Sequence, residues 1–160
     1  MSGLRKGKTL VLGLGNTILS DDGVGIYVAR EVEKRLQDSN VVVKEACVGG
    51  LELLELMKGF DSVILIDAMA VGNCDIGTLV KLKPEDLEGG SAMARHQVSF
   101  HEALQLGRRL RMDLPKDIVI YGIKVKDSTT FGESCTPEVA RCIPEVVNQI
   151  LQIDFLQDRR

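Results

Sequence analysis

Long apolar runs are missing from this sequence. No stretch approaches the roughly 20 consecutive apolar residues that a membrane-spanning helix needs, although 44% of the residues are hydrophobic. The basic residues 1–8 are followed by too few apolar residues before Asn16 to form a signal-peptide core. An excess of positive charge is also missing, since the formal net charge is −3, and this argues against a nucleic-acid or anionic-membrane partner. We therefore expect a cytoplasmic protein.

Paired metal-binding cysteines are absent as well. The four cysteines contain no C-x-x-C pair and the chain has two histidines, so the ligand spacing of a zinc finger is not met. We expect the cysteines to be small thiols, buried or partly exposed, in a reducing compartment. They are Cys47, Cys74, Cys135 and Cys142.

The sequence does contain a regular alternation of short apolar runs with amphipathic segments, and no internal repeat. Its 160 residues fit one domain, residues 1–160, by the usual size of domains. The alternation predicts an α/β fold, a three-layer α/β/α sandwich around a mostly parallel sheet of about five strands. The predicted strands are 8–13, 41–46, 62–66, 78–82 and 118–125, and the predicted helices are 23–38, 51–57, one from residue 99 and one from residue 137.

Local signals mark some boundaries of these elements. Ser99 and Glu102 form an S-x-x-E capping box at the predicted start of the third helix. Thr136 is the predicted N-cap of the last helix, with a proline at its first position, and Pro144 is expected to kink or split that helix. About ten residues separate the third and fourth strands, too few for a helical crossover, so the fourth strand should be antiparallel and near a sheet edge.

Side chains that could carry chemistry lie where the predicted strands end. Asp21 and Asp22 follow the first strand, and Asp67 ends the third. His96 precedes the third helix. Sites in open α/β sheets form beyond the carboxyl ends of the strands. Asp22, Asp67 and His96 could therefore form an incomplete ligand shell for zinc, nickel or manganese, with positions left for water or substrate.

Each of these residues also has an ordinary structural role open to it. Ser20 or Asp21 could cap the helix that follows and complement its dipole. Asp67 could be a hydrogen-bonded loop acid, and His96 a plain surface histidine.

Two other site classes fit the sequence poorly. The first loop lacks the third glycine of a dinucleotide fingerprint, because that position holds Ile18, and adjacent acids would repel a pyrophosphate. A nucleophilic serine in G-x-S-x-G is absent. A Cys/His mechanism would have to use Cys47 ahead of the second helix, and the sequence does not favour it.

The ordered blocks of the chain resemble the hydrogenase maturation proteases. Residues 13–25 carry the pattern G-x-G-N-x-x-L-x-D-D-G-x-G. Further blocks follow in the family's order, and the resemblance covers about residues 8–152. These blocks are Gly49-Gly50-Leu51-Glu52-Leu53-Leu54, Ile66-Asp67-Ala68, His96-Gln97 and Gly132-x-x-x-Thr136-Pro137.

The resemblance implies an endopeptidase that removes a C-terminal peptide from the large subunit of a [NiFe] hydrogenase after nickel insertion. The family residues thought to meet the metal correspond to Asp22, Asp67 and His96. The first of these positions takes Glu or Asp in the family. Nickel would be supplied by the substrate rather than held at rest. Cys135 stands where family members often carry an apolar residue, and we expect it to affect packing only.

The sequence leaves the cleavage chemistry open. Metal or a carboxylate could activate water, or Asp22 and Asp67 could share a proton across about 3 Å as in aspartic proteases. Asp21 is expected to be a helix cap rather than a general base. The competing functions are a non-catalytic metal- or nucleotide-binding module of the same fold and a metallopeptidase acting on generic peptides.

Overall fold

The structure is a computed structural model that describes residues 7–70, 74–87 and 94–156. For residues 87 and 94–99 it describes the backbone alone. Within these ranges the chain forms five strands and four α-helices. The strands are β1 (Thr9–Leu14), β2 (Val41–Ala46), β3 (Ser62–Ala70), β4 (Leu79–Leu82) and β5 (Asp117–Val125), and the helices are α1 (Val24–Arg35), α2 (Leu51–Met57), α3 (Ala94–Arg109) and α4 (Pro137–Asp154).

The strands form one sheet in the order β2-β1-β3-β5-β4. All neighbouring pairs are parallel except β4 and β5, which are antiparallel. This confirms the predicted α/β fold and the predicted antiparallel strand at the edge, which the short connection from β3 allows because no crossover is needed.

The sheet separates two apolar layers. α1 and α4 pack on one face, and α2 and α3 pack on the other. Successive residues of β3 alternate between the layers, with Ile64 in the first and Leu65 in the second, as the two-residue period of a strand requires. Each fully buried aliphatic side chain stabilises the fold by roughly 1.5–3 kcal/mol, so the layers hold the strand ends in fixed positions.

The predicted start of the third helix is wrong. α3 begins at Ala94, so Ser99 and Glu102 lie inside the helix and do not form a capping box at its start. Residues 94–97 are Ala, Arg, His and Gln, and three of these are good helix formers. They extend the helix ahead of the S-x-x-E pattern.

Pro144 does not split the last helix. α4 continues from Pro137 to Asp154 with Pro144 inside it, while Thr136 is the N-cap as predicted. A proline in a helix interior removes one backbone hydrogen bond. The buried stripe on the second half of α4 offsets that loss through packing, and it consists of Val146, Val147, Ile150 and Leu151.

The helices of the described residues are too short or too polar to span a membrane. None of those in residues 7–70, 74–87 and 94–156 combines the length and the apolar character that crossing a bilayer requires.

Candidate active site

A cavity of about 510 Å³ opens at the carboxyl ends of the parallel strands, where sites of open α/β sheets form. Its walls come from the end of β1, the β2–α2 connection, the last residues of β3 and the β5–α4 connection. Asp22 and Asp67 both line it. The structure thus brings together two of the three residues that the sequence proposes for the site.

Asp67 lies within β3 rather than at its end. The strand continues to Ala70 because β5 pairs with it as far as Val125. One carboxylate oxygen of Asp67 accepts the N–H of Ala68 at 2.8 Å. Burial raises the pKa of Asp67 to about 7, against the opposing effect of that hydrogen bond, and the negative charge of Asp22 raises it further. The carboxyl group can therefore gain or lose a proton near neutral pH.

Asp22 lies in a short 3-10 turn, Ser20–Gly23, ahead of α1. Its Oδ2 accepts the backbone N–H of Asn16 at 3.0 Å, which orients the partly buried carboxylate. Gly15 makes this turn possible, because its φ of +141° is one that side chains rarely adopt and a Cβ there would lie 2.0 Å from the carbonyl oxygen of Asp22. The glycine in the first loop thus fixes where Asp22 sits.

Asp21 has a different role from the predicted helix cap. The N-cap of α1 is Gly23, without a side-chain hydrogen bond, whereas Asp21 is fully buried. Its carboxylate accepts the backbone N–H groups of Lys126 (3.1 Å), Asp127 (2.9 Å) and Thr136 (2.6 Å), and the hydroxyl of Thr136 (3.0 Å). Asp21 therefore joins the first loop to the β5–α4 connection, which sequence reasoning missed.

Further hydrogen bonds hold these two segments together. The hydroxyl of Ser20 donates to the carbonyl of Thr130 at 2.7 Å, and the backbone of Gly132 exchanges bonds with Ser20 and Ile18. Ser20 has a φ of +49°, which is uncommon for a residue with a side chain. We call this junction, residues 18–21 with residues 126–136, the clamp. The Gly132 and Thr136-Pro137 block in the sequence was the available signal for it.

His96 lies in the first turn of α3, not in the loop before it. Its side chain is outside the described residues. Phe100, in the next turn of the same helix, lines the cavity. The structure thus places the backbone of this turn on the helix that borders the cavity.

The cysteines are free thiols. Cys47 is exposed and lines the cavity. Cys135 packs partly buried against the layer of α1 and α4, and burial together with the charge of Asp21 raises the pKa of its thiol to about 11. Cys135 is therefore a packing residue, as expected from the sequence.

The family model described as hydrogenase maturation protease matches residues 26–153. This chain belongs to the hydrogenase maturation protease family. The matched range contains Asp67 and His96 and begins after Asp22. Membership makes the protein a peptidase, and it confirms the resemblance found in the sequence.

Curated relatives agree with this family. The hydrogenase 2 maturation protease of Escherichia coli is 26% identical over 147 residues, which cover 90% of this chain and 88% of that protein. The hydrogenase expression/formation protein HupD of Thiocapsa roseopersicina is 26% identical over 147 residues, covering 89% of this chain but 66% of the relative's length.

Solved structures of maturation proteases share the fold. The maturating endopeptidase HybD from E. coli superposes with a TM-score of 0.76 at 26% identity, and 91% of each chain is covered. HybD from Thermococcus kodakarensis has a TM-score of 0.68 at 23% identity, covering 91% of this chain and 98% of that one. The latter likeness supports the fold alone.

Proposed function

We propose that this protein is a cytoplasmic endopeptidase that removes a C-terminal extension from the nickel-loaded large subunit of a [NiFe] hydrogenase. The observation that carries the proposal is the meeting of Asp22 and Asp67 in one cavity at the carboxyl edge of the sheet. The E. coli relative is a hydrogenase 2 maturation protease, which supports a large-subunit precursor as the partner.

Nickel enters this proposal as part of the substrate. Asp22 and Asp67 offer oxygen ligands, and His96 on α3 would add an imidazole, a set that suits a borderline divalent metal. An incomplete set binds weakly alone and becomes selective when the substrate already holds the ion. The precursor would therefore be engaged after its metal has been inserted.

Peptide hydrolysis needs a base for the attacking water and a proton for the departing amine. A carboxyl group with a pKa of about 7, such as Asp67, suits both steps near neutral pH. Asp67 would accept a proton as water adds to the carbonyl carbon, and return it as the C–N bond breaks. Asp22 is close enough to raise the pKa of Asp67 by its charge, an arrangement that supports a two-carboxylate mechanism.

The test is incubation of the purified protein with an unprocessed large subunit, with and without inserted nickel, followed by intact-mass analysis. We expect loss of a C-terminal peptide in the nickel-loaded sample alone. Cutting of both samples would mean that nickel is not the signal. No mass change with a cognate precursor would favour a binding module of the same fold, and cleavage of casein-like substrates with added zinc would favour a generic metallopeptidase.

Variants assign the roles in the same assay. Replacing Asp22, Asp67 or His96 singly by Ala should abolish processing while the protein stays folded. Asp113→Asn is the matched control, because Asp113 is exposed and precedes β5, at the amino-terminal end of that strand and away from the cavity. A fully active Ala variant would remove that residue from the mechanism.

A further inference from the structure

The last residues of β3 extend beyond one of its two partner strands. β1 pairs with β3 as far as Ile66, whereas β5 pairs with it as far as Ala70. β1 ends here because the chain turns away at Gly15, with its φ of +141°. Residues 67–70, which we call the overhang, are therefore paired with β5 on one side and not with β1 on the other.

The cavity occupies the place that a continued β1 would fill. Leu14 and Gly15, at the end of β1, line the cavity at its base. Residues 47–49, which continue from β2, line it on one side, and the overhang lines it on the other. Because β2 and β3 both pair with β1, the cavity between their continuations is a slot in line with β1, at the position of one strand.

Backbone groups of the overhang face this slot. The N–H of Gly15 donates to the carbonyl of Ala46 on β2, so the backbone groups of Leu14 are directed to the other side, toward β3. In the parallel register of β1 and β3 the carbonyl of Ile66 is then directed toward β1. Backbone groups in a strand alternate in direction with a period of two residues. The carbonyl of Ala68 and the N–H of Ala70 are therefore directed into the slot, while the N–H of Ala68 is bonded to Asp67.

We infer that the C-terminal segment of the precursor binds in the slot as an added strand, hydrogen-bonded through its main chain to Ala68 and Ala70. This inference rests on the proposed function. A strand in this place passes directly over Asp67, so one of its peptide bonds lies beside the carboxylates. Four overhang residues span about 13 Å, which holds a short extended peptide. Unpaired sheet edges are templates for such pairing.

The slot has one wall of main-chain groups, the overhang, and one wall of apolar side chains, and strand addition uses both. Main-chain bonds hold a peptide whatever its sequence, and side chains that alternate along it then select among sequences. On the α2/α3 side the slot is lined by apolar side chains, among them Phe100 and Met69. Alternate side chains of an added strand would therefore pack against this apolar wall.

The test compares Ala70→Pro with Ala70→Val in processing of the nickel-loaded precursor. Proline removes the N–H that faces the slot, and its loss should leave the β5 ladder intact, whereas valine keeps the N–H and changes only side-chain bulk. We expect the KM to be about tenfold higher in the proline variant than in the valine variant, with similar kcat. Thermal unfolding of both variants verifies that they are folded.

Hydrogen exchange provides a second measurement that does not depend on the proline variant. The wild-type protein, saturated with a synthetic peptide of the precursor's C-terminal segment, should exchange the amide of Ala70 about tenfold more slowly than the same protein alone. Equal KM values in two folded variants, or unchanged exchange in the complex, would overturn strand addition. Processing of the precursor by the wild-type protein would still leave the proposed function standing. A wild-type protein that does not cut the precursor overturns both.

Discussion

Two adjacent carboxylates, Asp21 and Asp22, sit in two different regions of the molecule. Asp21 belongs to the clamp, fully buried, with four donors directed at its oxygens. Asp22 opens to the cavity, where its charge acts on Asp67. The same side chain thus serves structure at one position and remains available for chemistry at the next.

The difference lies in what surrounds each acid. A carboxylate that accepts hydrogen bonds from four donors of the protein itself is fixed in place by the fold. The clamp uses such an acid to hold the first loop against the β5–α4 connection. Asp22 then projects from a loop that is already fixed, which is the preorganisation that a catalytic or metal-binding group needs.

The largest expected effect comes from replacing the acid in the cavity. Asp22→Asn keeps the shape but removes the charge and the metal-binding oxygen character, so processing of the nickel-loaded precursor should fall by roughly 10³-fold or more. Intact-mass time courses measure the rate. Urea unfolding of the variant should give the same free energy of unfolding as the wild type. An Asp22→Asn variant that processes normally would place the chemistry elsewhere and end the contrast between the two acids.

Replacing the acid in the clamp should act on stability instead. Asp21→Ala leaves buried donors without an acceptor, and we expect the free energy of unfolding to fall by about 3 kcal/mol. In a chain of this size that lowers Tm by about 10 °C. Urea and thermal unfolding, with Asp113→Asn as control, measure it. A stable but inactive Asp21 variant would assign Asp21 to the chemistry.

The sequence predicts well those features that depend on neighbours in the chain. Strand β2 and helix α2 have the predicted bounds, 41–46 and 51–57. The short connection predicts the antiparallel edge strand. The meeting of Asp22 with Asp67 also follows from local positions, because both come after parallel strands whose carboxyl ends share one edge.

Features set by distant partners escape the sequence. The donors to Asp21 lie 105 to 115 residues away, so no local pattern distinguishes this acid from a helix cap. The length of β3 depends on pairing with β5, which carries the strand past Asp67 and creates the overhang. Residues 94–98 contain no glycine or proline that would break a helix, so α3 begins before Ser99. The capping-box pattern at Ser99 therefore lies in an interior turn of α3.

Asp67 makes the free energy of unfolding of the protein depend on pH. Its pKa is about 7 in the folded protein and about 3.9 in an unfolded chain. The folded state therefore holds a proton that the unfolded state has lost, and this contribution to stability is full below about pH 4 and disappears as pH rises through about pH 7.

Asn cannot ionise, so Asp67→Asn removes this dependence. We expect the difference in unfolding free energy between the variant and the wild type to shift in favour of the variant by about 2.5 kcal/mol from about pH 5 to about pH 8. Urea titrations at the two pH values measure the difference. A constant difference between Asp67→Asn and wild type would mean that Asp67 is ionised throughout.

The smallest expected effect tests whether the clamp acts through individual bonds. Thr136→Val removes the hydroxyl that donates to Asp21 at 3.0 Å but keeps the backbone N–H at 2.6 Å, so unfolding free energy should fall by about 1 kcal/mol. Combined with Asp21→Ala, the loss should be smaller than the sum of the two, because the valine then removes a donor that has already lost its acceptor. Urea unfolding of the double-mutant cycle measures this coupling. Strict additivity would show that Thr136 stabilises α4 independently of Asp21, and the clamp would then consist of the backbone donors alone.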